Sequence, residues 1–325
     1  MRLVAVSMVR NEGDIIEAFV RHHAGLLDHL VVLDHNSSDN TPAVLKALQA
    51  EGLPLTVLHD ESLSFQQGPR LTDLARRCFA QVGADFVFPL DGDEFLRVES
   101  RAALEQALLR VPAGACGKVP WQTYVASDVD DATEANPVRR MRHRVAEEPK
   151  ADVKVVLTRL LLSDARWQLV PGSHMLLREM ADGATQAADM VFVDGVRLAH
   201  FPLRSQQQYQ QKILLGWLST RLQNPTEMVA AESGQQMTAM FWHWRELFAR
   251  LLTDPSLTPA DLREHALRMY VDRVPLNHPF TAHALLEDPV AVDYALSLTT
   301  AHDSIALVSL ALWADRLLTR VGEKL

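Results

Sequence analysis

"FVFPLDGDEFL", residues 86–96, decides how the rest of the chain is read. Phe86 to Leu90 has the length and apolar character of a buried strand. It runs directly into Asp91, Asp93 and Glu94 before the sequence turns apolar again at Phe95 and Leu96. Carboxylates this close repel, and each takes up a proton unless something positive shares the site. Taken alone, Asp91-Gly92 reads as a solvated turn, because Asp and Gly are turn formers. The surrounding pattern changes that reading.

Similar apolar runs occur at 3–9, 29–34, 55–60 and 117–124, and helical patterns at 13–27, 42–51, 69–82 and 101–110 separate them. Strands that are apolar throughout and alternate with helices imply a parallel sheet covered on both faces, a doubly wound α/β fold. Thr41-Pro42 and Gly68-Pro69 mark helix starts, since proline at the first helical position sacrifices no hydrogen bond. The same signature recurs at Asn224-Pro225, Thr258-Pro259 and Asp288-Pro289, in a region with helical periodicity. The expected organisation is an α/β domain over 1–204 and a helical C-terminal region over 205–325. Residues 127–152, with acids first and then Arg139, Arg140, Arg142 and Arg144, read as an exposed loop. Further strands are expected in 153–162, 167–177 and 190–201.

In open parallel sheets ligands bind beyond the carboxyl ends of the strands. Here those ends carry Arg10, Asn11 and Glu12, then Asp34 to Asp39, then Asp60 and Glu61, then Asp91 to Glu94. Four polar, largely acidic strand ends on one rim call for a hard cation, Mn²⁺ or Mg²⁺, which carboxylates share with substrate phosphates.

The 325 residues carry a formal net charge of -9 and are 48% hydrophobic, which supplies a core and argues against a nucleic-acid-binding face. With only Cys78 and Cys116, no disulfide framework or cysteine metal site is indicated. The first residues read as a strand and no apolar run reaches the length of a membrane span, so a cytoplasmic protein is expected. The amphipathic pattern at 303–320 leaves room for peripheral membrane contact. Phe241, Trp244 and Phe248 have the spacing of a helical core stripe.

Three segments together, 8–41 ("MVRNEGDIIEAFVRHHAGLLDHLVVLDHNSSDNT"), 89–96 ("PLDGDEFL") and 200–216 ("HFPLRSQQQYQQKILLG"), resemble the family-2-like glycosyltransferases of the GT-A fold, in the D-x-D-E-F branch related to family 92. The resemblance covers roughly the first 220 residues. It implies transfer of a sugar from a nucleotide-sugar donor, a UDP-sugar by preference, with inversion. By that analogy Asn11, Glu12, Asp34 and Asn36 line the nucleotide pocket, and Asp91 lies nearer the ribose. Asp93 holds the metal with Asp91, and His200 is a third ligand. Arg204, Lys212 and Lys154 assist the leaving diphosphate. The acceptor, whether carbohydrate, lipid-linked or protein, is not specified.

The sequence departs from the family-2 pattern in lacking a Glu-Asp pair after the D-x-D, where the general base is usually read. Glu94, Asp128 and His174 are the candidates. A nucleotidyltransferase or phosphohydrolase would use a similar acidic rim, but it calls for a Gly-rich phosphate loop with Lys, which does not follow the first strand. A non-catalytic nucleotide-sugar binding protein is the other alternative.

Overall fold

The structure, a computed structural model, describes residues 1–62, 66–148, 151–223, 246–248, 250, 256–274, 278–279 and 282–298. The chain opens with β1 (Leu3–Val9), α1 (Ile16–Ala24), β2 (His29–Asp34), α2 (Thr41–Ala50), β3 (Leu55–His59), α3 (Gln67–Arg77) and β4 (Phe86–Pro89). β1 is buried on both faces. Because successive side chains in a strand alternate sides, Leu3, Ala5 and Val9 join the core under α1 and α2, and Val4, Val6 and Met8 join the core under α3. That double burial is what the uninterrupted apolar runs required.

β3, β2, β1 and β4 lie side by side in that order and run parallel. The chain moves outward from β1 through β2 to β3, then returns to the other flank of β1 as β4. The reversal makes the gap beyond β1 and β4 the topological switch point of the sheet. Past β4 the sheet turns antiparallel through β8 (Val153–Thr158), β6 (Cys116–Val125) and β7 (His143–Val145). β5 (Glu94–Arg97) pairs with β13 (Arg197–His200), which runs parallel to β6 and sets Leu198 beside Trp121. The result is an α/β fold on a mixed central sheet, as the alternating pattern implied.

Three expectations are corrected. Residues 127–152 are not simply an exposed loop: Asn136 caps a short helix, α5 (Pro137–Arg140), by accepting from Val138 N–H, and Val138, Met141 and Val145 are buried. Asp288-Pro289 starts no helix, because the Asp288 carboxylate is taken by Arg97 at 2.8 Å and Arg144 at 2.7 Å. The region after 205 is not wholly helical either. It contains α7 (Gln206–Gln223) and a helix over Pro259–Ala266 with a full capping box at Thr258, but Leu285–Glu287 forms β14, antiparallel to β7. Asn224-Pro225, Phe241, Trp244 and the pattern at 303–320 lie outside the described residues. Phe248 stacks on Trp217 of α7 with ring centroids 5.6 Å apart. No helix among the described residues is long and apolar enough to cross a membrane.

Candidate active site

At the end of β1 the chain turns through Asn11, whose φ of 55° lies in the left-handed region that Asn tolerates better than most residues. The β2 loop holds that turn in place. Ser37 Oγ accepts Asn11 N–H at 2.9 Å, and Asn11 Oδ1 accepts Ser38 N–H at 2.7 Å. Across the switch point, Leu90 N–H donates to Val6 O at 3.0 Å, and the strand delivers Asp91 and Asp93 beside Glu12. Phe201 N–H donates to Asp93 O at 2.9 Å, which ties the end of β13 and His200 to the same spot.

These ends open onto a cavity of about 560 Å³. Asn11, Glu12, Asp91, Asp93, His174, His200 and Lys212, all singled out from sequence, line it. Gln67, Trp121, Gln211 and Tyr270 line it too and were not foreseen. Trp121 sits in a strand that reads as ordinary core, and Gln67 precedes a Gly-Pro helix start. Gln208, Gln211, Lys212 and Leu215 recur at helical spacing on α7, the one signal that could have found that wall.

The acids are matched by buried bases. Lys154 is 1% exposed, with Nζ 2.5 Å from Asp91 Oδ2 and 3.2 Å from Glu94 Oε2. The other Asp91 oxygen accepts from Gln67 Nε2 at 2.7 Å. Arg204, also buried, donates to both oxygens of Asp14 at 2.7 and 2.8 Å and to Glu12 Oε2 at 2.6 Å. Lys212 Nζ lies 3.4 Å from Asp93 Oδ2.

Burial raises the Glu12 carboxyl to about 7 against the pull of Arg204. It raises Glu94 well above the ordinary range against the pull of Lys154. Burial acts the same way on Asp93, but Lys212, Arg204 and Lys154 outweigh it and hold that carboxyl down at about 2. Burial also pushes His200 down to about 3, so its imidazole stands neutral with Nε2 3.8 Å from Asp93 Oδ2.

Lys154 and Arg204, expected beside the leaving diphosphate, therefore sit behind the carboxylates and neutralise them. Asp34 and Asn36 do not line the cavity. Asp34 is buried, accepting Ser37 N–H at 3.3 Å and facing His59, and Asn36 occupies a left-handed turn with φ of 54°. His35, between them, does reach the cavity wall.

The three candidate bases separate cleanly. Glu94 is fully buried behind Asp91, accepting Asp91 N–H at 2.8 Å. Asp128 is 70% exposed and faces Arg263 at 3.5 Å, away from the cavity. His174 lines the cavity, and its Nδ1 lies 2.9 Å from Val153 O. A carbonyl oxygen can only accept, so Nδ1 carries a proton, and in the neutral ring it is Nε2 that keeps the lone pair.

Among the described residues no three His, Cys, Asp or Glu side chains converge as a metal cluster. What the cavity does offer is the pair Asp93 and His200, an ionised carboxylate beside a neutral imidazole. That donor set fits a divalent ion that draws its remaining ligands from a phosphorylated substrate and water. Asp91, with both oxygens engaged, is the poorer ligand of the two aspartates.

No family model and no curated protein matches the chain. Solved structures do align with it. Residues 1–349 of S. aureus TarS are 13% identical with a TM-score of 0.34, over 85% of this chain and 81% of that one. Glucosyl-3-phosphoglycerate synthase from Mycobacterium tuberculosis, in complex with Mn²⁺, uridine diphosphate and glucosyl-3-phosphoglycerate, is 23% identical with a TM-score of 0.26; the match spans 37% of this chain and 44% of that one. Mannose-1-phosphate geranyltransferase from Thermus thermophilus is 11% identical with a TM-score of 0.28, over 84% and 71% of the two chains.

Proposed function

We propose that this chain is a metal-dependent glycosyltransferase that moves a sugar from a nucleotide-sugar donor, of the uridine diphosphate class, to an acceptor hydroxyl with inversion. One observation carries the reading: the Asn11-Glu12 turn and the Asp91-Gly92-Asp93 turn face one cavity at the switch point of the sheet.

Charge supports it. Asp14, Asp91 and Asp93 are met by Arg204, Lys154 and Lys212, so the site is close to neutral before anything binds. A diphosphate brings negative charge into a buried place with no cation to spare, and such charge is stable only when paired. A divalent ion held by Asp93 and His200 answers that need. Bound there, Mn²⁺ or Mg²⁺ supplies Lewis-acid stabilisation of the leaving diphosphate.

The chain's own residues supply the rest. Lys212, 3.4 Å from Asp93, keeps that carboxylate ionised beside the place where the leaving group collects electrons. His174 Nε2 takes the proton of the attacking acceptor hydroxyl, and Val153 O holds the ring in the tautomer that leaves that nitrogen free. The cavity walls, Trp121 and Tyr270 among them, limit competing attack by water. With a base in reach, an enzyme is favoured over a binding protein.

A thermal-shift series with UDP, GDP, CMP and their sugars, with and without Mn²⁺, tests the reading on the wild type and Asp93→Ala. Ligand binding to the native state raises the melting temperature. A Mn²⁺-dependent rise with one nucleotide class, lost in Asp93→Ala, is the expected result. No rise with any of them would refute it.

A further inference from the structure

Three neutral side chains on the cavity wall carry buried polar atoms that no protein group satisfies. Trp121 Nε1, Gln211 Nε2 and Oε1, and His200 Nδ1 have no hydrogen-bond partner among the described residues. Trp121 is 7% exposed and Gln211 4%, and both line the cavity. Native proteins pair nearly all of their buried polar groups. An amide buried with both its N–H and its C=O idle is costly to keep, and here it adjoins Lys212 on the face of α7 that the cavity meets. Groups in this state on the wall of a cavity are met by water when the cavity is empty and are available to the polar groups of a ligand that displaces it.

The character of that ligand follows from the charges around it. The cations of the cavity wall are already engaged: Lys212 lies 3.4 Å from Asp93 and sits over the Tyr270 ring at 5.3 Å, and Arg10 lies in the field of Asp34. A phosphate or carboxylate beside Trp121 and Gln211, in addition to the diphosphate that a divalent ion at Asp93 would offset, would add charge next to Glu12, Asp91 and Asp93 that these engaged cations do not balance. A neutral hydroxyl group suits what is present, because it can accept from the indole N–H and both donate to and accept from the Gln211 amide.

We propose that Trp121 and Gln211 form a subsite for a neutral, hydroxyl-rich glycosyl ring, and that this subsite, apart from the diphosphate position at Asp93, rejects a ring that carries a further phosphate. The proposal rests on the glycosyltransferase reading for its substrate class. The ring would come either from the donor, as the sugar in transfer, or from a carbohydrate acceptor.

Isothermal titration of the full chain separates these sources. The ligands are UDP, UDP-glucose, UDP-galactose and UDP-N-acetylglucosamine with Mn²⁺, then the methyl glycosides of the same sugars and glucose 6-phosphate, each on the wild type and Gln211→Leu. If the ring belongs to the donor, one nucleotide sugar binds about tenfold more tightly than UDP. If it belongs to the acceptor, a methyl glycoside binds to the UDP-loaded protein. In either case Gln211→Leu removes about tenfold of the sugar-dependent affinity and leaves UDP binding unchanged. The comparison of neutral with phosphorylated sugar needs only the wild type, so it stands even if the variant folds poorly.

The proposal is overturned if no neutral sugar adds affinity in either form, if glucose 6-phosphate binds in preference, or if a folded Gln211→Leu binds sugar as the wild type does. Glycoside binding that depends on Gln211 in a protein that ignores UDP and Mn²⁺ would uphold the subsite while sinking the nucleotide-sugar reading.

Discussion

Gln67 links the first carboxylate of the D-x-D segment to a turn on a distant part of the chain: its Nε2 donates to Asp91 Oδ1 at 2.7 Å, and its Oε1 accepts Gly172 N–H at 2.8 Å. Hydrogen bonds to ionised groups contribute about 1.5–3 kcal/mol. Gln67→Leu should therefore weaken binding of the nucleotide-sugar donor by at least about tenfold. Glutamate at this position should weaken it further by repelling Asp91. Calorimetric titration of the donor with Mn²⁺ checks both.

Lys154 stands between two carboxyl groups, with Asp91 and Glu94 both within ion-pair distance and almost no contact with water. Removing one partner of a buried pair leaves the other charge uncompensated, at a cost of about 3–5 kcal/mol. Lys154→Met should lose stability on that scale in urea denaturation. Adding Glu94→Gln should cost less in the Lys154→Met background than in the wild type, because the two groups share one network.

The parallel half of the fold was legible because β1, β2 and β4 are buried on both faces and so leave unbroken apolar runs, and because Asp91 and Asp93 follow one of them. Other features depended on partners far away in sequence. Residues 137–145 show almost no apolar periodicity, yet Val138, Met141 and Val145 are buried, and Arg139 and Arg144 are spent on the segment around 288–294. Asp288-Pro289 has a helix-start signature, but Arg97, 191 positions away, takes the carboxylate. Lys154 and Arg204 were visible as cations of the site. Their placement behind the carboxylates was not, since a sequence does not show which side of an acid a base approaches from.

Several histidines are held neutral by burial, and stability should follow their protonation. His265, 1% exposed, has no hydrogen-bond partner at either ring nitrogen among the described residues and packs on Tyr209. Burial, reinforced by Arg250 and Arg268 and opposed by Glu264 and Asp261, pushes it down to about 4. His23 is likewise lowered by burial and by His22. The unfolded chain binds these protons near pH 6.5, whereas the folded chain does not. Stability is thus fully present above 6.5 and is lost as the pH falls toward 4, by up to about 1.4 kcal/mol per pH unit for each histidine. Urea denaturation at stepped pH should show that slope, and His265→Phe should make it shallower.

The turn that presents His174 is held in an unusual backbone shape. Gly172 has φ of 79° and Ser173, fully buried, has φ of 54°, so two successive residues lie in the left-handed region. A Cβ on Gly172 would stand 2.4 Å from His174 Nε2, the nitrogen proposed to take the acceptor's proton. Gly172→Ala must therefore move the imidazole or the turn, and alanine also resists a positive φ. Loss of a positioned base slows the chemical step by about 10²–10⁴-fold. His174→Gln should fall in that range with donor affinity retained, because the donor is held by other residues. Gly172→Ala should follow it part of the way, lowering kcat while leaving donor binding close to that of the wild type. Equal loss of donor affinity and rate in both variants, measured by titration and by donor hydrolysis, would reduce His174 to a wall of the cavity and return the search for the base to the acceptor side.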